Sequence, residues 1–206
     1  MTITITQGNI TYSKTDAIVN AANSGLREGG GVCGAIFHAV HKVGGRSAYQ
    51  QLTQACRDIG HCPTGDAVIT PSFALVAPFI IHAVGPVWNG REKDDLVAPL
   101  NPQELKQADE LAAAYRAVLR VCRENNLKSV TIPGISTGIF GFPKNVAAIV
   151  AKQVCEAEAG DIEVNLISYE DDSLIELRTA PTAEGIALLN GHLLRSATIM
   201  MSEVPF

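Results

Sequence analysis

Two short stretches constrain this chain more than anything else in it. From Ala17 the sequence runs Ala-Ile-Val19, Asn20-Ala-Ala-Asn23, then Gly29-Gly-Gly31, and Val32, Ile36, Ala39 and Val43 follow three or four residues apart. That order describes a buried strand, a glycine-bearing turn and one face of a helix. Ser129-Val-Thr-Ile132 begins the same arrangement again: Pro133-Gly-Ile-Ser-Thr-Gly138-Ile-Phe-Gly141 leads into a second helical segment, and Pro143 suits its first turn. Glycines at such junctions let backbone N–H groups approach a ligand with no Cβ in the way. The helix start behind them adds unpaired donors and the positive end of a dipole. Each junction is a candidate phosphate cradle, and two of them can clasp a diphosphate from opposite sides. Taken singly, either is equally a tight bend and nothing more.

The rest of the chain supplies more strands and helices in alternation. Ile3 and Ile5 alternate with threonines as in a half-buried strand, Asp66–Thr70 reads as another, and Phe79–Val84 is a continuous apolar run suited to a central strand. His82 inside that run reads as a satisfied core residue rather than a catalyst. The first helix is expected to stop near Gly44 and Gly45, with a separate helix over Ser47–Ile59. Leu105, Ala108, Leu111, Ala112, Tyr115, Val118, Leu119 and Cys122 mark a long amphipathic helix. Val146, Ile149, Val150 and Val154 mark the next helix, and Ile162–Ser168 alternates as the last strand. Trp88–Gln103 reads as a loop and Thr182–Leu194 as helix-like. Strands alternating with helices predict a three-layer α/β/α sandwich with a mixed, largely parallel central sheet, and one domain over residues 1–206.

Composition excludes several classes. The net charge of −5 argues against a nucleic-acid partner held by phosphate contacts, which calls for a basic patch. No apolar run reaches membrane-spanning length, and the start of the chain lacks the charged-then-apolar order of a signal peptide. The five cysteines, Cys33, Cys56, Cys62, Cys122 and Cys155, are scattered and odd in number, which indicates neither a disulfide framework nor a zinc ribbon. The expectation is a cytoplasmic protein with reduced thiols, no metal and no cofactor.

Six stretches in order, Gln7–Thr11, Ala17–Asn23, Gly29–Ile36, Cys62–Gly65, Ile81–Pro86 and Ile135–Gly141, resemble the macrodomain family, the ADP-ribose-binding module. The resemblance covers about residues 3–170 and leaves 171–206 as a C-terminal extension. Within the family the chain is most similar to the branch that removes mono-ADP-ribose from proteins and deacetylates O-acetyl-ADP-ribose. The resemblance implies that Asn9, in place of the family's usual aspartate, faces the adenine amino group and that Ile10 lies along the base. It implies that Asn23 bonds the distal ribose, that Gly30, Gly31 and Val32 form the first diphosphate loop, and that Ser136, Thr137, Gly138 and Ile139 form the second. Phe140 takes the place of an aromatic beside the distal ribose, and Asn20 is expected to hold its strand end through backbone hydrogen bonds.

Two departures bear on activity. Cys33 stands where the hydrolases closest in motif carry an aspartate that helps position or activate water, and Phe37 replaces a histidine. A thiol of ordinary pKa, about 8.5, does not mimic a carboxylate at neutral pH, although a helix N-terminus lowers that value. Two readings therefore stand, from different classes: a hydrolase of ADP-ribosylated protein or O-acetyl-ADP-ribose, with Asn23 and Cys33 as the catalytic candidates, and a binding module that recognises ADP-ribose without turnover. A phosphate-loop nucleotidase lacks its Gly-Lys-Ser/Thr, and a dinucleotide-dependent reductase lacks its acidic partner.

Overall fold

The computed structural model describes residues 3–91 and 99–180. Six strands form one sheet: β1 (Ile3–Gln7), β2 (Ala17–Ala21), β3 (Ala67–Pro71), β4 (Phe79–Ala83), β5 (Ser129–Ile132) and β6 (Glu163–Ser168). They lie side by side in the order β1-β6-β5-β2-β4-β3. Every pairing is parallel except β3 with β4. This is the mixed, largely parallel sheet expected from the alternation.

Four helices cover it: α1 (Gly31–Ile59), α2 (Pro102–Glu124), α3 (Lys144–Glu158) and α4 (Asp171–Thr179). Alternate residues of the central strands show the layering. Ile18 and Ile80 pack with Ile36, Phe37, Val40 and Leu52 of α1. Ala17, Val19 and Ile81 pack on the opposite face with Leu111, Tyr115 and Val118 of α2 and Ile149 and Val150 of α3. Both faces of β2 and β4 are therefore sealed, which is why those strands read as unbroken apolar runs. Truncating Ile18 or Ile81 to alanine at such a site costs about 2–5 kcal/mol.

The helix boundaries follow local chemistry. α1 breaks at Gly45, whose φ of +70° and ψ of −169° lie outside the helix, so the two helices expected on either side of the glycine pair are both present, joined at that break. α3 starts one residue later than expected, because Pro143 is its N-cap rather than part of its first turn. α4 was not apparent in the sequence; Asp171 and Asp172 open it, where carboxylates favour a helix N-terminus. The helix-like run over Thr182–Leu194 lies outside the described residues, as does the middle of the Trp88–Gln103 segment. Among the described residues, no helix is long and apolar enough to cross a membrane.

Two buried polar groups tie the sheet and helices together. His82 is fully buried in β4, with Nδ1 3.0 Å from Asn20 Nδ2 and Nε2 2.9 Å from Thr70 Oγ1. Burial pushes the imidazole down to about 4, so it is neutral at physiological pH and joins β2, β4 and β3, the core role read from the sequence. Asn20 thus bonds an imidazole rather than the backbone. Glu104 is the other group. Its carboxylate closes a capping box at the start of α2, accepting from Asn101 N, while Asn101 Oδ1 accepts from the Gln103 and Glu104 amides. Arg91 donates to both of its oxygens at 2.9 and 2.7 Å.

The Arg91 guanidinium, helped by the Arg91 and Asn101 amides, holds the Glu104 carboxyl down to about 2 against the opposing effect of burial. A folded-state pKa below the unfolded value means stability that is complete above the unfolded pKa and disappears as pH falls toward the folded one. We expect denaturation midpoints of the parent protein to fall between about pH 4.5 and about pH 2. The Glu104→Gln variant should be less stable at neutral pH by roughly 2–3 kcal/mol and should lack that part of the acid dependence. Equilibrium urea titrations across that range check both expectations.

Candidate functional site

β2 feeds α1 on one face of the sheet and the neighbouring β5 feeds α3 on the other. Where adjacent parallel strands send their connections to opposite faces, a crevice opens beyond their carboxyl ends. Here it is a cleft of about 500 Å³. Its walls come from the residues just beyond four strand ends: Gly8, Asn9 and Ile10 after β1, Gly31 and Val32 after β2, Gly134, Thr137 and Gly138 after β5, and Ser168, Tyr169 and Glu170 at the end of β6.

The two glycine junctions meet across this cleft. A Cβ built on Gly30 would lie 2.9 Å from Ile139 Cδ1, so the loops touch. The N–H groups of Gly31 and Val32 open α1 and, like the first donors of any helix, have no partner within it. Facing them, residues 136–140 donate no backbone hydrogen bond to any described residue; the turn is closed instead by Gly141 N to Gly138 O and Phe142 N to Ser136 O. Ser136 sits at φ +65°, an uncommon conformation for a residue with a side chain, costing roughly 1–2 kcal/mol. Its hydroxyl is buried against Gly85 without a hydrogen-bond partner among the described residues: a Cβ on Gly85 would come within 2.2 Å of Ser136 Oγ and 2.6 Å of Ile135 Cγ2. The result is two facing runs of free amides, the arrangement that binds a phosphate chain through backbone alone.

The structure brings together some of the expected residues and separates others. Asn9, Ile10, Gly31, Val32, Thr137 and Gly138 line the cleft. Gly30 and Ile139 form the contact between the two loops, with Ile139 79% exposed, and neither they nor Asn23, Cys33, Ser136 and Phe140 are among the residues that line the cleft. The carbonyl of Phe140 accepts from Trp88 N at 2.8 Å, which secures the second loop. Asn23 latches its own loop: its Oδ1 accepts from Arg27 N at 3.1 Å and its Nδ2 donates to Arg27 O at 2.6 Å. That pair closes the turn leading into the glycines and leaves one N–H and one oxygen lone pair of the amide uncommitted.

Cys33 lies beneath the first loop, 4% exposed, with its thiol 3.8 Å from Arg27 O. Burial raises its pKa, only partly offset by the Gly29 backbone and the Asn20 amide, and Glu28 adds to the rise. The thiol is therefore protonated at neutral pH, and the helix N-terminus does not overcome desolvation. Phe37 belongs to the core, edge-on to Tyr49 at 6.3 Å.

Several cleft residues carry no signal in the sequence read alone. Tyr169, Glu170, Ser173 and Leu177 come from the end of β6 and from α4, and Lys144 and Ala147 from α3. Lys144 Nζ reaches Glu170 Oε2 at 2.6 Å and ties α3 to the start of α4. The one available clue was general: ligands in parallel sheets sit beyond strand ends, and Ser168-Tyr169 is such an end.

Comparison with known proteins accords with this architecture. The family model described as Macro domain matches residues 19–151. A macro domain-containing protein of Cupriavidus necator is 44% identical over 175 residues, 82% of this chain and 91% of that protein. One from Methanosarcina mazei is 39% identical over 86% of this chain and 87% of its own length. Among solved structures, a glycine-to-valine mutant of the Oceanobacillus iheyensis macrodomain with ADP-ribose superposes with a TM-score of 0.71 at 33% identity, covering 85% of this chain and 89% of that one. The Trypanosoma brucei macrodomain in complex with ADP-ribose superposes with a TM-score of 0.66 at 28% identity, over 85% and 67%. A strand order with one antiparallel edge, two glycine junctions at the switch point and these matches lead to one conclusion: the chain belongs to the macrodomain family.

Proposed function

We propose that the cleft binds ADP-ribose and that the protein hydrolyses the bond between ADP-ribose and an acidic side chain of a modified protein, or the ester of O-acetyl-ADP-ribose. The observation that carries the reading is the pair of facing amide runs at Gly31–Val32 and Thr137–Phe140. They suit a diphosphate and carry no charge of their own, which also fits an acidic protein that binds a doubly anionic ligand. Solved relatives from two organisms with ADP-ribose bound add weight to the choice of ligand.

The chemistry depends on what the cleft lacks as much as on what it holds. Its described lining contains no histidine and a single carboxylate, Glu170, which is engaged by Lys144. Cys33 is a protonated, buried thiol. Catalysis then falls to positioning. The glycine loops fix the diphosphate, and Asn23, by latching the Asn23–Arg27 turn, fixes the first of those loops. With the protein-linked substrate, a water held against a diphosphate oxygen attacks the anomeric carbon. The bond to the ester oxygen breaks, the carboxylate departs with the electron pair, and the water's proton passes to the phosphate oxygen. A carboxylate is a stable leaving group at neutral pH, so the step needs no general acid.

The buried Cys33 also supports a second reading, a reader that holds ADP-ribose without turnover. Titration calorimetry with ADP-ribose, run beside an assay of ADP-ribose release from a protein modified on acidic side chains, separates the two. Binding without release favours the reader, and absence of binding removes both.

Three variants test the site. A Cβ at Gly138 meets nothing within 4 Å, so Gly138→Trp should fold with a melting temperature changed by no more than about 3 °C. The indole should fill the phosphate site and weaken ADP-ribose binding by about a hundredfold or more. Calorimetry and thermal melts read the two effects separately, and unchanged affinity would reject the assignment of the cleft.

If positioning carries catalysis, Cys33→Ala should keep turnover within about threefold, whereas removing a general base costs about a hundredfold or more. Asn23→Ala should lose about tenfold or more by releasing the first loop. A Cys33→Ala protein that binds ADP-ribose tightly yet turns nothing over would refute the positioning scheme.

A further inference from the structure

The cleft runs across the sheet, and its two ends differ in kind. The amide runs follow β2 and β5, whereas Asn9, Ile10, Ile167 and Tyr169 follow or end β1 and β6. In the sheet order the second group lies one to two strands further along, a distance of about 5–10 Å, the span from a diphosphate to the base of a nucleotide. Ile10 and Ile167 are buried, and Tyr169 presents an exposed ring. These walls suit a flat heterocycle and do not tell one purine from another. Polar groups must do that.

The side chain of Asn9 is the group whose orientation can be fixed. It caps the turn Ile10–Tyr12, and its Oδ1 accepts from Thr11 N at 3.0 Å and from Thr11 Oγ1 at 2.8 Å. A backbone N–H can only donate, so the atom facing it must be the amide oxygen. Chemistry, not the appearance of the amide, sets its orientation. Both lone pairs of Oδ1 are then used. Asn9 Nδ2 makes no hydrogen bond to a described residue, and the side chain is exposed at the cleft wall. What Asn9 offers a base is therefore two N–H donors and no acceptor. Ser168, its neighbour at this end, is committed, its hydroxyl donating to Glu170 O at 2.7 Å.

Adenine presents an amino group at its 6-position, a donor. Hypoxanthine and guanine present a carbonyl oxygen there, an acceptor. An amino group against the Asn9 amide leaves donors facing donors, whereas a carbonyl completes the pair. We infer that Asn9 makes this site select for, rather than against, a 6-oxopurine, so that inosine diphosphate ribose binds at least as well as ADP-ribose. The inference rests on the reading of the cleft as a nucleoside diphosphate ribose site. An aspartate at position 9 would keep the Thr11 bonds with one oxygen and turn the second, charged acceptor toward the base, which restores a partner for the adenine amino group.

The test is a set of four calorimetric titrations: the parent protein and Asn9→Asp, each with ADP-ribose and with inosine diphosphate ribose. The inference expects the parent to bind the inosine ligand as tightly as ADP-ribose or more tightly. It expects Asn9→Asp to reverse the order, with a swing of about tenfold or more in the ratio of the two affinities. A parent that prefers ADP-ribose by tenfold or more overturns the inference and leaves the cleft assignment intact, as does a ratio that Asn9→Asp does not move. Failure of both ligands to bind either protein overturns the assignment of the cleft and this inference with it. Unchanged melting curves for Asn9→Asp exclude loss of the turn as the cause of any difference.

Discussion

Everything in this fold depends on β2 being buried on both sides. Its residues Ala17, Ile18 and Val19 are wholly inaccessible, with α1 against one face and α2 and α3 against the other. A strand in that position has no free face on which to place polar chemistry, so its only functional surface is its end. The same holds for β5. Because these two neighbours hand the chain to opposite faces, their ends are also the one place where loops cannot cover the sheet. The site is where it is because the core left nowhere else for it.

The polar atoms inside the core obey the same constraint. Asn20 is the last fully buried residue of β2, and its amide has to find partners among neighbouring strands rather than in solvent. His82 on β4 supplies one, and Thr70 on β3 bonds the other nitrogen of the same imidazole. That chain joins three strands in the sheet, one of them antiparallel, and its Asn20 end lies next to Cys33 in the first turn of α1. The oxygen of Asn20 has no hydrogen-bond partner, and the amide instead lies beside the thiol. The packing that holds the strands in register thus also sets the floor under the first glycine loop.

How much of this was legible before the structure depended on the range of the interaction involved. Strands and helices whose apolar spacing is strong, such as Phe79–Ala83 and Pro102–Glu124, could be read directly, because burial writes its period into the sequence. The two glycine loops were legible for the same reason: strand, turn and helix are contiguous. The contributions of Tyr169, Lys144 and Leu177 were not, since the cleft assembles four chain segments that only sheet order makes neighbours. Asn9 was legible as a residue of the cleft wall and Asn23 as part of the turn before the first glycines, but neither was legible in its orientation. Each commits its side chain to a nearby main chain, Arg27 for one and Thr11 for the other, and no residue-type argument gives the direction in which the remaining donors point.

The contact between Gly30 and Ile139 has a kinetic consequence. The two loops come together at this contact, so a ligand whose diphosphate lies between them is enclosed on the side where they meet. Where entry of a ligand requires that contact to part, the step is a loop motion, and backbone loops of this kind move in nanoseconds to microseconds. Association then scales with the fraction of time the bridge is open, while a ligand once inside leaves only when the bridge opens again. Ile139, exposed to solvent and touching the opposite loop only through its side-chain tip, acts as the catch. Its bulk then bears on residence time without touching the reacting atoms, so the lifetime of a complex at this site can change through a side chain while the backbone amides that hold the ligand stay the same.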